Sequence, residues 1–176
     1  MKIYVSRHGQ TQWNAENKVC GRTDIPLNDV GIQQAKEMAD KAKDCDINII
    51  ISSPMIRAQQ TAQRVGEVTG LEILTDERLT EQNFGIYEGK DRFDEGFRSN
   101  KRKFVYSYPG GESMFKVAQR VYNLLDEVIE KYNGKNVLLV CHGGICRVIR
   151  TYFEDMENEE FASFSASNAD LMEFEV

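Results

Sequence analysis

Short apolar runs at residues 2–6, 47–52 and 136–140 alternate along this chain with longer stretches in which apolar residues recur at helical spacing. Runs of that kind suit strands buried on both faces, and their alternation with helices is the pattern of a parallel-sheet α/β domain. Ile32, Ala35, Ala39 and Ala42 repeat behind Asn28, a suitable N-cap, and predict the first helix. After "INIIIS", the stripe Met55, Ala58, Ala62 and Val65 predicts a second, with Ser53 as cap, Pro54 at its first position and Gly70 as its stop. A short strand near 72–74 precedes residues 80–110, which lack any period. Met114, Val117, Val121, Leu125 and Val128 then predict a long amphipathic helix ended by Asn133 and Gly134. "NVLLV" leads into "CHGG" and a helix to about 152, and "DLMEFEV" alternates like a final edge strand.

A chain of 176 residues, 41% hydrophobic, can bury one good core, so a single domain over 1–176 is expected. No stretch reaches the roughly 18 uninterrupted apolar residues of a membrane span, and "MKIYVSRHG" meets a charge too early for a secretory segment; a cytoplasmic protein is expected. A net charge of −6 argues against nucleic acid or anionic membrane as a partner, because both are polyanions. Any anionic ligand must be held by a local cluster. Cys20, Cys45, Cys141 and Cys146 show no CxxC pair, and the gap in "CHGGIC" is not a usual zinc spacing, so reduced thiols and no metal are the simpler reading. No apolar stripe in the sequence specifies an oligomer.

The two histidines occupy equivalent places. Each directly follows a buried strand and directly precedes glycine, in "VSRHG" and "LVCHGG". The carboxyl ends of parallel strands lie on one side of the sheet, where open α/β folds bind ligands, so the two imidazoles can meet. "IIISSP" ends there too, and Arg57 lies near the start of the helix that follows. Arg7, His8, Arg57 and His142 therefore converge, with helix N-termini adding N–H donors. Such a cluster of cations needs an anion to hold it together.

"RHGQTQWN", "SSPMIRAQQTA", "LTEQNFGIYEG", "PGGES" and "CHGG", in that order over most of the chain, resemble the histidine phosphatase superfamily, in its phosphoglycerate mutase-like branch. The resemblance implies a three-layer α/β sandwich, a mostly parallel sheet with helices on both faces. It makes His8 the nucleophile, gives Arg7, Arg57 and His142 the task of clamping phosphate oxygens, and completes the pocket with Asn14, Gly143 and the amides near Gln10 and Thr11. Glu81 becomes the proton donor to the leaving oxygen, with Glu88 behind it. No cofactor is implied.

The chemistry is consistent with those roles. Neutral imidazole is a competent nucleophile toward phosphorus, and neighbouring cations disfavour a proton on His8. Guanidinium groups match the charge that spreads over the equatorial oxygens during transfer, so no metal is required. A bound phosphate dianion favours the protonated form of a carboxyl group beside it, so Glu81 can protonate the leaving oxygen and later deprotonate the attacking water. Hydrolysis of the phosphohistidine gives a phosphatase acting on a small phosphorylated metabolite; rephosphorylation of a retained product gives a mutase. "FGIYEG" resembles the phosphatases' motif, whereas the mutases carry a longer insertion, so hydrolysis is favoured. A non-catalytic phospho-ligand scaffold would not need His8, Glu81, His142 and both arginines together. Residues 80–110 read either as a solvated charged surface or as a lid, in which Arg98, Lys101, Arg102 or Lys103 would favour a second anionic group on the substrate. Relatives with these motifs act on sugar phosphates, α-ribazole phosphate and phosphoglycerates, and the sequence does not select among them.

Overall fold

The computed structural model describes residues 1–176. Its five strands are β1 (Lys2–Arg7), β2 (Ile49–Ser52), β3 (Ile73–Thr75), β4 (Val137–Cys141) and β5 (Leu171–Glu175), in the spatial order β3-β2-β4-β1-β5. All pair in parallel except β5, which runs antiparallel to β1 and closes the edge. This is the mostly parallel α/β sheet expected from the sequence, and "DLMEFEV" is its edge strand.

Alternation along the strands sends side chains into two cores. Ile3, Val5, Ile51, Leu139 and Cys141 pack on one face with Val121, Leu125 and Val128 of α5 (Met114–Lys131) and Ile145 and Ile149 of α6 (Gly143–Phe153). Tyr4, Ile50, Leu138 and Val140 pack on the other with Met38 and Ala39 of α2 (Asp29–Ala42) and Ala58, Ala62 and Val65 of α3 (Ile56–Thr69). Burying each of the larger aliphatic side chains contributes roughly 1.5–3 kcal/mol. The small alanines of α2 and α3 bring those helices close to the sheet. No helix is long and apolar enough to cross a membrane.

Four features depart from the sequence reading. The helix after β2 starts at Ile56 instead of Pro54, because Ser53 stays extended and directs its hydroxyl to His142, while Asp24 from a remote loop accepts the Ile56 N–H at 2.9 Å. A short helix, α1 (Gln12–Ala15), follows β1, made by a reciprocal cap between Thr11 and Asn14. Residues 80–110 are folded: α4 (Glu95–Lys101) is capped by Asp94, and Phe84, Tyr87, Phe97 and Tyr108 bury against one another and Val19. A last helix, α7 (Asn158–Ser163), precedes β5.

Candidate active site

Register sets the site. Val140 of β4 lies between Ser6 of β1 and Ser52 of β2, so the three strands run out side by side. The ladder continues one residue further, with His8 N–H donating to the Cys141 carbonyl (3.0 Å) and Ser53 N–H to that of Val140 (2.9 Å). The residues that come next, Arg7–His8, Ser53 and His142–Gly143, therefore emerge on one edge.

His8 is held in one tautomer. Its Nδ1 stands 2.6 Å from the Gly9 carbonyl, which can only accept, so Nδ1 carries the proton and Nε2 presents its lone pair. Arg57 Nε donates to that lone pair at 3.2 Å. Burial first, then the charges of Arg57 and Arg7, hold the His8 imidazole well below the usual histidine range. Arg57 is itself fully enclosed and anchored, donating to the carbonyls of Gly21 (2.7 Å) and Thr23 (3.0 Å). Glu88 fixes that loop: its carboxylate accepts from the amides of Gly21, Arg22 and Thr23 and from the Thr23 hydroxyl. Glu88 thus positions Arg57 through the loop between them.

His142 lies beside His8, ring centroids 5.1 Å apart, with its Nε2 2.8 Å from the Ser53 hydroxyl. Burial and the charge of Arg57 keep this imidazole well below its usual range too, so His142 is neutral in the free protein. Its Nδ1 is buried without a partner, and so is Nε of Arg7, whose Nη1 donates to the Ala166 carbonyl at 2.9 Å. Two orphaned polar atoms around one nucleophilic nitrogen mark the place of a polar ligand. Glu81 completes the group, its carboxylate accepting from the amides of Gln82 (2.8 Å) and Gly144 (3.0 Å), the latter in the first turn of α6. A Cβ on residue 144 would meet Glu81 Oε1 at 2.5 Å, so only glycine lets the carboxylate sit there.

These residues open into a cavity of about 490 Å³, lined among others by Arg7, His8, Asn14, Glu81, Gly143 and Gly144. Arg57 and His142 are fully buried and do not themselves line it, but Arg57 Nε sits against Nε2 of His8 and His142 lies beside its ring. Gln10 and Thr11 do not line it either, and their amides already donate to Gln34 and Asn14. Arg92 and Arg147 line the cavity and were not singled out from the sequence. For Arg147 a signal existed: it follows Gly143 by one helical turn, a cation among the apolar residues Ile145, Cys146, Val148 and Ile149.

The buried neutral histidines give folding a pH dependence. Their folded-state affinity for protons is depressed, so above pH 6.5 neither binds a proton in either state and they leave stability unchanged. Below it the unfolded chain takes up protons that the folded chain refuses. Each histidine should then remove on the order of 1.4 kcal/mol per pH unit. Urea midpoints at pH 7.5 and 5.5 measure this, and a His8→Asn/His142→Gln variant should show a shallower pH dependence than the parent; equal slopes would contradict the burial argument.

The chain belongs to the histidine phosphatase superfamily (branch 1), whose family model matches residues 3–176. It is 38% identical over 150 residues to a probable phosphoglycerate mutase, GpmB, of Escherichia fergusonii, covering 81% of this chain and 70% of that protein. Among solved structures it resembles a mycobacterial glucosyl-3-phosphoglycerate phosphatase with bound VO3 (28% identity, TM-score 0.87, 98% of this chain and 91% of the other). It also resembles a phosphoserine phosphatase of Entamoeba histolytica in complex with 3-phosphoglyceric acid (29% identity, TM-score 0.85, 98% and 89%).

Proposed function

We propose that this protein is a phosphatase of the histidine type, hydrolysing a small phosphorylated metabolite through a phosphohistidine on His8 without a metal ion. The observation that carries the reading is the fixed neutral tautomer of His8, which points a nucleophilic Nε2 at the end of a cation-rich cavity.

In the first half-reaction Nε2 attacks phosphorus, the Nε2–P bond forms and the P–O ester bond breaks. Arg57 Nε–H leaves Nε2 for a phosphoryl oxygen, and the unpartnered Arg7 Nε–H takes another. His142 Nδ1 accepts the proton of a monoprotonated phosphate or, once protonated beside the dianion, donates to it. Glu81 gives its proton to the leaving oxygen. In the second half, water attacks phosphorus, Glu81 takes the water's proton, and the Nε2–P electron pair returns to the ring. Guanidinium groups stabilise the developing charge at each step. Residues 80–110 cover the site as a lid of a single domain.

The phosphatase-named structural neighbours support hydrolysis, while the GpmB relative favours a mutase as the second reading. The test is turnover of p-nitrophenyl phosphate and of 3-phosphoglycerate in EDTA. Phosphate release undiminished by the chelator is expected; isomerisation of 3-phosphoglycerate outpacing phosphate release would make the protein a mutase, and loss of activity in EDTA would overturn the metal-free mechanism.

A further inference from the structure

His8 is followed by glycine because α2 leaves no room for a side chain: a Cβ on residue 9 would meet the Gly31 carbonyl oxygen at 2.4 Å. That glycine carries a liability for the nucleophile. Its carbonyl is the acceptor that keeps the proton on Nδ1 of His8, and a glycine backbone is the one most free to turn that carbonyl elsewhere. The bonds around it remove the freedom. Every main-chain polar group from the Arg7 carbonyl to the Gln10 carbonyl has a partner, beginning with Ala169 N–H on the Arg7 carbonyl (2.9 Å) and ending with Asn28 N–H on that of Gln10 (3.0 Å). Three of the partners are side chains from separate elements. Asn168, in the turn before β5, donates from Nδ2 to the His8 carbonyl at 2.8 Å. The Thr61 hydroxyl of α3 accepts from the Gly9 N–H at 3.1 Å, and Gln34 Oε1 of α2 accepts from the Gln10 N–H at 2.8 Å. None of the three lines the cavity.

A peptide unit is planar and trans, so its N–H and C=O point in opposite directions. With its N–H on Gln34, the Gly9–Gln10 unit aims the Gly9 carbonyl at Nδ1. The preceding unit, His8–Gly9, is held at both ends, by Asn168 and by Thr61. Thr61 also ties the nucleophile to its neighbouring cation, since its hydroxyl donates to the Arg57 carbonyl at 2.8 Å. We propose that Gln34, Thr61 and Asn168 are positioning residues for the reaction: acting through the two peptide units that flank Gly9, they hold the His8 imidazole in its Nδ1–H form with Nε2 directed at phosphorus. This rests on the phosphatase reading above and adds to it three residues remote from the substrate.

The orientation of the two amides makes a sharp test. Position 34 must present an oxygen and position 168 a nitrogen, so one chemical change has opposite outcomes. Gln34→Glu keeps the acceptor, whereas Asn168→Asp sets a carboxylate against the His8 carbonyl. Thr61→Ser likewise keeps the hydroxyl that Thr61→Val, of the same shape, removes. The chain has two histidines, both neutral at pH 8, so ¹⁵N labelling of histidine alone reads the ring nitrogens directly, with a His142→Gln spectrum for assignment. The parent, Gln34→Glu and Thr61→Ser should carry the His8 proton on Nδ1. Gln34→Met, Thr61→Val and Asn168→Asp should gain a share of the Nε2–H form. Because aim is lost with the tautomer, their kcat/KM on p-nitrophenyl phosphate should fall roughly tenfold, the scale seen when a metal-binding histidine loses its outer hydrogen-bond partner. Inhibition by inorganic phosphate should be unchanged, because Arg7 and Arg57 keep their own anchors. Gln34 and Asn168 are half-buried and belong to neither core, so their variants should fold even if Thr61→Val does not. A parent-like tautomer and kcat/KM in Gln34→Met and Asn168→Asp would overturn the positioning role and leave the phosphatase standing; so would a tautomer shift without loss of kcat/KM, or equal losses in Gln34→Glu and Asn168→Asp. A parent with the Nδ1–H tautomer that hydrolyses no phosphomonoester would overturn the phosphatase reading, and the role in its reaction with it.

Discussion

Replacing His8 with alanine should abolish hydrolysis of phosphomonoesters, lowering kcat by at least about 10⁴-fold, the scale of losing a catalytic nucleophile. No neighbour can substitute. His142 is the only other imidazole, and its Nε2 is engaged with Ser53 behind the cavity wall. The variant should still fold, since it loses the bonds to Gly9 and Arg57 but leaves both cores untouched. Circular dichroism with steady-state kinetics on phosphoserine checks both points. A folded variant retaining a tenth of the parent activity would exclude His8 as the nucleophile.

Glu81→Gln should act differently on the two half-reactions. The amide oxygen can still accept from Gly144 but the NH2 group then faces the Gln82 N–H, so circular dichroism accompanies the kinetics to show that the variant is folded. With an alkyl phosphate, whose leaving oxygen needs a proton, kcat should fall about 10²- to 10⁴-fold with little change in KM. With p-nitrophenyl phosphate the phenolate leaves unaided, but hydrolysis of the phosphohistidine still needs a base. Rapid mixing should then give a burst of about one p-nitrophenol per chain followed by slow turnover. Equal impairment of both substrates without a burst would remove Glu81 from the proton-transfer role.

What could be read in advance follows from how locally each feature is encoded. Parallel strands buried on both faces appear as unbroken apolar runs, so the sheet was legible, and with it the position of Arg7 at the end of a strand and of His8 and His142 just past strand ends. The 14- and 18-residue helices α2, α3 and α5 carry enough turns for a stripe to show, whereas α4 and α7, at 7 and 6 residues, do not. Contacts between sequence-distant segments were silent. Asp24 caps α3 across 32 residues, and this displaced the start assigned to Ser53 and Pro54. Glu88 reaches back 65 to 67 residues to the loop that anchors Arg57. The amides of Gln10 and Thr11 were expected at the ligand, but Gln34, 24 residues on, and the neighbouring Asn14 occupy them. The cations of residues 98–102 were visible as a charged segment; their convergence with Arg147 needed the fold.

The central claim is that the phosphoryl group resides on one nitrogen of one side chain. Rapid acid-free quenching of Glu81→Gln with ³²P-labelled p-nitrophenyl phosphate, then peptide mapping and ³¹P NMR, tests it most directly. An acid-labile, base-stable label on Nε2 of His8, absent when His8 is also replaced, is the outcome required by the fixed tautomer. Label on any other residue, or none while parent turnover proceeds, would contradict it.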